Sequence, residues 1–317
     1  RRWPGAATPS YDRGDAGSDQ RMIRYDRILI PVDGSDASHT AARYALALAD
    51  ATGAAVDVVH VVEASRGGTA LGGEEHARIL SNRGETLLSA VRGRAEGADV
   101  EVTTALLEGA PYRAILDRAD ETGAHLVAMG RHGAGSVGER LLGGVTEKVL
   151  RSGTVPVLAV RPDGSDDRGP VEADQLLLPT DGSECAELAA EHAATVADLA
   201  DATLHVVSVA DLDAAGGLFS AGGLSEEFVA NVEDRCAEAA DRMADAVASA
   251  TGRDVETAVV RGRPAAALEA YVEGNGIDAV VMGAHGRSGF ERWMLGSVTE
   301  RLLRTLDVPV LVVPGEG

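Results

Sequence analysis

Lysine, cysteine and aromatic residues are scarce in this chain. Of its 29 basic residues only Lys148 is a lysine, against 50 acidic ones, and the formal net charge is −21. A surface this acidic repels nucleic acid and anionic membrane, whose binding rests on clustered Lys and Arg, so neither is expected as a partner. The same bias, with abundant Ala, Asp, Glu and Gly, is that of a halophile-like protein in which salt screens self-repulsion; ordinary acidic solubility is the alternative. Cys185 and Cys236 are the only cysteines, with no C-x-x-C spacing and no His cluster beside them. No metal site is expected, and both read as buried or idle thiols. The longest apolar runs, such as Val308 to Pro314, fall far short of the roughly 18 residues that a membrane-crossing helix requires. No pattern of charge, apolar run and cleavage site opens the chain, and a cytoplasmic location is expected.

What is present suits two domains of ordinary size. The 317 residues are 45% hydrophobic, with mean hydropathy near zero, and each half is long enough to bury its own core. Arg1 to Gln20 is rich in Gly, Pro, Ser, Asp and Arg without apolar period and is expected to be disordered; Met22 is a candidate start. The expected organisation is an extension over 1–21, a domain over 22–161, a linker over 162–172 with the composition Arg-Pro-Asp-Gly-Ser, and a second domain over 173–317.

In the first half, strands are predicted over Arg27 to Val32, Val56 to Val62, Val100 to Leu107, His125 to Met129 and Val155 to Val160. Between them fall helices over Ser38 to Ala51, His76 to Arg94, a segment opened by Gly109-Ala110-Pro111, and Gly144 to Arg151. Ala41, Ala45, Leu48 and Ala49 make one helix stripe, and Ala189, Ala193, Val196 and Ala197 another. The series then repeats, 148 residues separating Asp33 from Asp181 and 153 separating Gly130 from Gly283. Strands alternating with helices predict the α/β class, with a doubly wound parallel sheet in each half, and the repeat predicts domain duplication.

The chemistry concentrates in two recurring stretches. Ile30-Pro31-Val32-Asp33-Gly34-Ser35 and Leu178-Pro179-Thr180-Asp181-Gly182-Ser183 each close a first strand with a carboxylate. Gly130-Arg131-His132-Gly133 and Gly283-Ala284-His285-Gly286 each close a fourth strand, and nine residues later come Gly143-Gly144-Val145-Thr146 and Gly296-Ser297-Val298-Thr299. Glycines bring backbone close to a ligand, and N–H groups at a helix start attract anions. In a doubly wound sheet both stretches meet at the carboxyl ends of the strands, where the carboxylate can accept from ribose hydroxyls and the loop can hold a polyphosphate. Neither loop ends in Gly-Lys-Ser/Thr, so neither is a P-loop. Arg131 and Arg287 are placed to lend charge to phosphate; His132 and His285 are read as loop-orienting or phosphate-contacting rather than as general bases. Trp293 and Phe290 lie within the second span as core or as a cover over ligand or partner. His125, opposite Asp278, packs or caps. No catalytic set is assigned.

These residues resemble the universal stress protein family, in its tandem two-domain form. The opening strand with Asp-Gly-Ser, the Met-Gly ending strand four, the spaced glycines and the closing Val-Pro-Val-Leu carry the resemblance, from about Arg24 to Val160 and Asp174 to Pro314. The resemblance implies the ATP-binding branch and a Rossmann-like sheet of five strands in the order 3-2-1-4-5. It places Asp181 on the ribose, the Val209 backbone on adenine, and Gly283, Gly286, Gly296, Ser297 and Val298 on ribose and phosphates, with His285 and Arg287 in the same loop. In the first half the matching positions are Asp33, Val61, Gly130, Gly133, Gly143, Gly144 and Val145. It further implies an internal pseudo-dimer of the two halves, a possible homodimer and an unknown protein partner. Gly144 stands where the second half has Ser297, so the second half is expected to bind ATP more tightly. The function implied is a nucleotide-dependent stress sensor or regulator, with Mg²⁺ held mainly by the phosphates. A slow ATPase or autophosphorylating enzyme, a nucleotide-free dimerisation module, and AMP or a cyclic nucleotide as ligand stay open.

Overall fold

A computed structural model describes residues 22–63, 73–96, 100–133, 142–162, 169–216, 225–287 and 295–315. The extension, most of the linker and most of both nine-residue spans, with Phe290 and Trp293, lie outside the described residues. From Arg24 onward the chain divides into two compact units, Arg24–Asp167 and Arg168–Gly317.

The first unit runs β1 (Arg27–Pro31), α1 (Asp36–Thr52), β2 (Ala55–Val62), α2 (Gly73–Arg94), β3 (Val102–Glu108), α3 (Pro111–Thr122), β4 (Leu126–Gly130), α4 (Gly144–Ser152) and β5 (Val157–Val160). The second runs β6 (Gln175–Thr180), α5 (Glu184–Ala200), β7 (Thr203–Ala210), α6 (Leu212–Gly216), α7 (Glu226–Thr251), β8 (Val255–Arg261), α8 (Pro264–Asn275), β9 (Ala279–Gly283), α9 (Ser297–Thr305) and β10 (Val310–Val313). The short α6 has no counterpart in the alternation read from the sequence; it starts where Asp211 Oδ1 accepts the Ala214 N–H, 2.9 Å away.

Within each unit the strands are ordered 3-2-1-4-5: β3-β2-β1-β4-β5 in the first and β8-β7-β6-β9-β10 in the second. The pairs within each are parallel, with Ile28 opposite both Val56 and Leu126, and Leu176 opposite both Leu204 and Ala279. Strands covered on both faces need apolar side chains throughout, and Ile28, Leu29, Ile30, Leu176, Leu177 and Leu178 are all without exposure. The small residues Ala41, Ala45, Ala49, Ala189 and Ala193 are equally buried and let the first helix of each unit lie close on its sheet.

Local signals set the helix limits. Ser35 Oγ accepts from Ser38 N at 3.2 Å and Ser183 Oγ from Ala186 N at 3.3 Å, so α1 and α5 cap their own first turns. Gly53 and Gly123 take left-handed φ of 71° and 64° at the ends of α1 and α3. His125 caps rather than packs: its Nδ1 accepts the Asp26 N–H at 3.0 Å, and in the second unit Asp278 Oδ2 accepts Asp174 N and Gln175 N at 2.8 and 2.9 Å.

One core position differs in kind between the units. On β2 the fully buried Asp57 takes Arg118 Nε at 2.6 Å, Arg118 Nη2 at 3.2 Å and the Thr103 hydroxyl at 2.8 Å. At the matching place on β7, His205 meets the Tyr271 hydroxyl at 3.0 Å and Gln175 Oε1 at 2.6 Å. An ion pair in one unit is replaced in the other by a histidine held between a phenol and an amide, with Glu256 Oε2 also 3.5 Å from its Nδ1. Among the described residues no helix is long and apolar enough to cross a membrane.

Candidate functional site

Strand order reverses at β1 in the first unit and at β6 in the second, opening a crevice beyond the carboxyl ends of β1 and β4, and of β6 and β9. Asp33 and Asp181 sit there. Each is followed by a glycine with positive φ, 82° at Gly34 and 71° at Gly182, a conformation that glycine adopts without steric cost. The turn folds the next serine back: Ser35 N and Oγ donate to Asp33 Oδ1 at 2.9 and 2.6 Å, and Ser183 N donates to Asp181 Oδ1 at 3.0 Å. Each carboxylate is thereby held with its second oxygen toward the glycine loop.

The glycines divide into distinct roles. Gly133 and Gly286 abut those carboxylates, and a β-carbon on either would overlap Asp33 Oδ2 or Asp181 Oδ2. Gly130 and Gly283 are packing glycines: a β-carbon would come within 2.8 Å of Ala37 Cβ in the first unit and of Cys185 Sγ in the second. They admit the first turns of α1 and α5 against the sheet. Gly143 and Gly296 close the loop, Gly143 N donating to Arg131 O at 2.6 Å and Gly296 N to Ala284 O at 2.8 Å. Gly144 has open space around it, and Ser297 occupies the corresponding first position of α9.

The starts of α4 and α9 lack what α1 and α5 have. Their N-caps are Gly143 and Gly296, which carry no side chain to accept from the first turn. The N–H groups there point, with the helix dipole behind them, toward an acceptor from outside the helix. The third residue of each helix is otherwise engaged: Thr146 Oγ1 donates to Gly130 O at 2.7 Å and Thr299 Oγ1 to Gly283 O at 3.0 Å, tying helix start to strand end.

In the first unit these parts line a cavity of about 380 Å³, whose walls include Asp33, Val61, Glu63, Gly130, His132, Gly133, Gly143, Gly144 and Val145. His60 also lines it, and the sequence reading had no role for this residue; its Nδ1 lies 2.7 Å from Val32 O and links β2 to the Asp33 turn. Its position before Val61 is the only signal for it in the sequence. In the second unit Val209, next to last in β7, is half-buried, its carbonyl 3.7 Å from Cys236 Sγ, and Ser297 and Val298 open α9.

The arginines differ from expectation. Arg131 is fully buried, with Nε donating to Ala159 O at 3.2 Å, and so is turned under the loop and away from any phosphate. It directly follows the last residue of β4, where strand alternation still directs side chains. Arg287 is exposed, but its N–H donates to Asp181 Oδ2 at 2.8 Å and its guanidinium approaches Asp181 O at 3.5 Å, at the carboxylate end of the site. His285 lies half-buried in the second loop, as His132 does in the first. Below that loop burial pushes the Cys185 thiol up, against backbone hydrogen bonds from His285 and Ala284 that hold it down; its Sγ donates to Val313 O at 3.4 Å.

A model of the universal stress protein family matches residues 24–161 and again 172–314. The chain belongs to the universal stress protein family. Each matched segment holds one Asp-Gly-Ser turn and one spaced-glycine loop, so this is a tandem universal stress protein with the constellation built twice. A universal stress protein of Mycolicibacterium smegmatis is 30% identical over 304 residues, covering 90% of this chain and 96% of that one. Another, from Methanocaldococcus jannaschii, is 36% identical over 139 residues, 44% of this chain and 81% of its own length. The crystal structure of a universal stress protein from Archaeoglobus fulgidus shares the fold, with TM-score 0.70 and 23% identity over 92% of this chain and 99% of that one.

Proposed function

We propose that each domain of this universal stress protein binds an adenine nucleotide, ATP foremost, and that the chain acts as a nucleotide-dependent sensor or regulator in stress response. The observation that carries the reading is the pairing, in both halves, of a glycine-capped helix start with a carboxylate held across the loop by the Asp-Gly-Ser turn. In this reading Asp33 and Asp181 accept from ribose hydroxyls, and the backbone of Val61 and Val209 meets adenine. The N–H groups of Gly144 and Val145, and of Ser297 and Val298, hold phosphates. Mg²⁺ travels with the phosphates. The first domain's cavity of about 380 Å³ is within the range of small-molecule sites. The second domain binds more tightly, because Ser297 adds a hydroxyl that Gly144 lacks. Nucleotide orders the glycine loops and changes the surface offered to a protein partner.

Gently purified full-length protein tests this directly: mass spectrometry of released ligand is expected to find adenine nucleotide, and calorimetry with ATP to show two unequal sites. Absence of adenine nucleotide in the released fraction, together with no heat on addition of ATP, ADP or AMP, would overturn it.

A further inference from the structure

Beyond the loop, the first domain carries a cationic feature that the second lacks. Tyr112, on the first turn of α3, is half-buried; the Lys148 ammonium lies 5.1 Å from its ring centroid and the Arg113 guanidinium 5.6 Å. Arg113 Nε also donates to the Tyr112 hydroxyl at 2.8 Å. Both cations are exposed, and among the described residues neither pairs with a carboxylate. The nearest acid on α4, Glu147, is taken by Arg151 at 3.0 Å. In a chain with net charge −21, two cations held on one aromatic ring, with no acid partner among the described residues, are set apart from the rest of the surface.

Their position connects them to the site. Pro111, beside Tyr112, lines the cavity, and so do Gly144 and Val145, which stand four and three residues before Lys148 on α4. That spacing puts Lys148 on the same helix face as the cavity-lining start, one turn along. Val145 is itself 36% exposed at this rim, one of two large apolar side chains so exposed among the described residues. In the second domain the matching positions are Ala265, Ala266 and Arg301. Arg301 there is bound two-pronged by Glu269 at 3.0 and 3.1 Å, which leaves it no free charge to offer.

We infer that Tyr112, Arg113 and Lys148 form a subsite for the terminal phosphates of a nucleotide in the first domain. The inference rests on the nucleotide reading above and refines its ligand class. The helix start of α4 takes the phosphates nearest the ribose, and Lys148 with Arg113 takes those beyond. The first domain therefore selects polyphosphorylated nucleotides over AMP or a cyclic monophosphate, by charge at the rim in place of the hydroxyl it lacks at Gly144. The second domain, with its equivalent cation neutralised, discriminates by chain length less.

The test uses the full chain with Gly286→Val, which fills the space against Asp181 and silences the second site. Calorimetric titration of this protein with ATP and with AMP is expected to show ATP bound at least about tenfold more tightly. Adding Arg113→Ala and Lys148→Ala is expected to remove most of that preference while leaving AMP affinity within about twofold, and Lys148→Arg is expected to keep it. Equal ATP and AMP affinities before the substitutions, or an ATP preference indifferent to them, would overturn the subsite while the nucleotide reading stands. Failure of the Gly286→Val protein to bind either nucleotide, with its thermal unfolding unchanged, would overturn the first-domain nucleotide site and the subsite with it.

Discussion

Gly286 packs against the carboxylate of Asp181 so closely that a β-carbon would overlap Oδ2, and Gly133 stands in the same relation to Asp33. Neither glycine has positive φ, so space and not backbone conformation requires glycine here. Substitution with alanine is therefore expected to displace the carboxylate while disturbing the fold by under about 1 kcal/mol. Gly286→Ala should lower second-site ATP affinity by about tenfold or more, the worth of one charge-assisted hydrogen bond. Calorimetry paired with thermal unfolding checks both halves of that statement; affinity and stability falling together would point to a folding defect.

The difference between the two helix starts can be exchanged. A β-carbon at Gly144 would meet nothing within 4 Å, so the position has room to start a serine side chain. Gly144→Ser is expected to strengthen ATP binding in the first domain roughly tenfold, and Ser297→Ala to weaken the second by a similar factor. Titration of each variant in the full chain would show the two sites converging in affinity in both cases.

Arg118 compensates a carboxylate with no exposure, since Asp57 takes both Nε and Nη2 of its guanidinium. Arg118→Met leaves that charge buried and unpaired and is expected to destabilise the first domain by about 3 kcal/mol. Asp57→Asn on the same background removes the charge and should recover at least about half of the loss. Urea denaturation of the single and double variants measures the difference.

His192, buried on α5, has its pKa pushed down from 6.5 to about 4 by loss of hydration. The unfolded chain therefore takes up a proton on this ring that the folded chain refuses, between those two values. Stability from this group is full above pH 6.5 and falls as pH drops toward 4, by on the order of 3 kcal/mol. His192→Gln is expected to flatten that part of the acid profile. Denaturant midpoints at pH 7.5 and 4.5 decide it, and equal losses in the parent and the variant would assign the acid sensitivity elsewhere.

Much of this was legible from residue order. The strand order 3-2-1-4-5 is the one that the family resemblance implied, and the alanine stripes of α1 and α5 mark buried faces that period and composition identify on their own. Arg131 shows where such reading stops. One residue beyond β4, its direction depends on whether strand alternation persists past the last ladder bond, and it does: Arg131 N donates to Val160 O at 2.7 Å. The side chain turns inward under the loop in consequence. Gly130 and Gly283 read alike with Gly133 and Gly286 as ligand glycines, but whether a missing side chain makes room for a helix or for a carboxylate depends on which element packs there.

The sequence by itself determined the duplication, the α/β class and the two recurring clusters of aspartate and glycine, because these rest on local periodicity and on motifs repeated within one chain. Only the tertiary structure decided what each residue of those motifs meets. It separated packing glycines from glycines facing a carboxylate, and it buried one arginine while exposing the other. It also brought Lys148 of α4 over the Tyr112 ring of α3, 5.1 Å from its centroid. The physical reason is that side-chain encounters between elements far apart in sequence arise from helix-on-sheet packing, which no local pattern records.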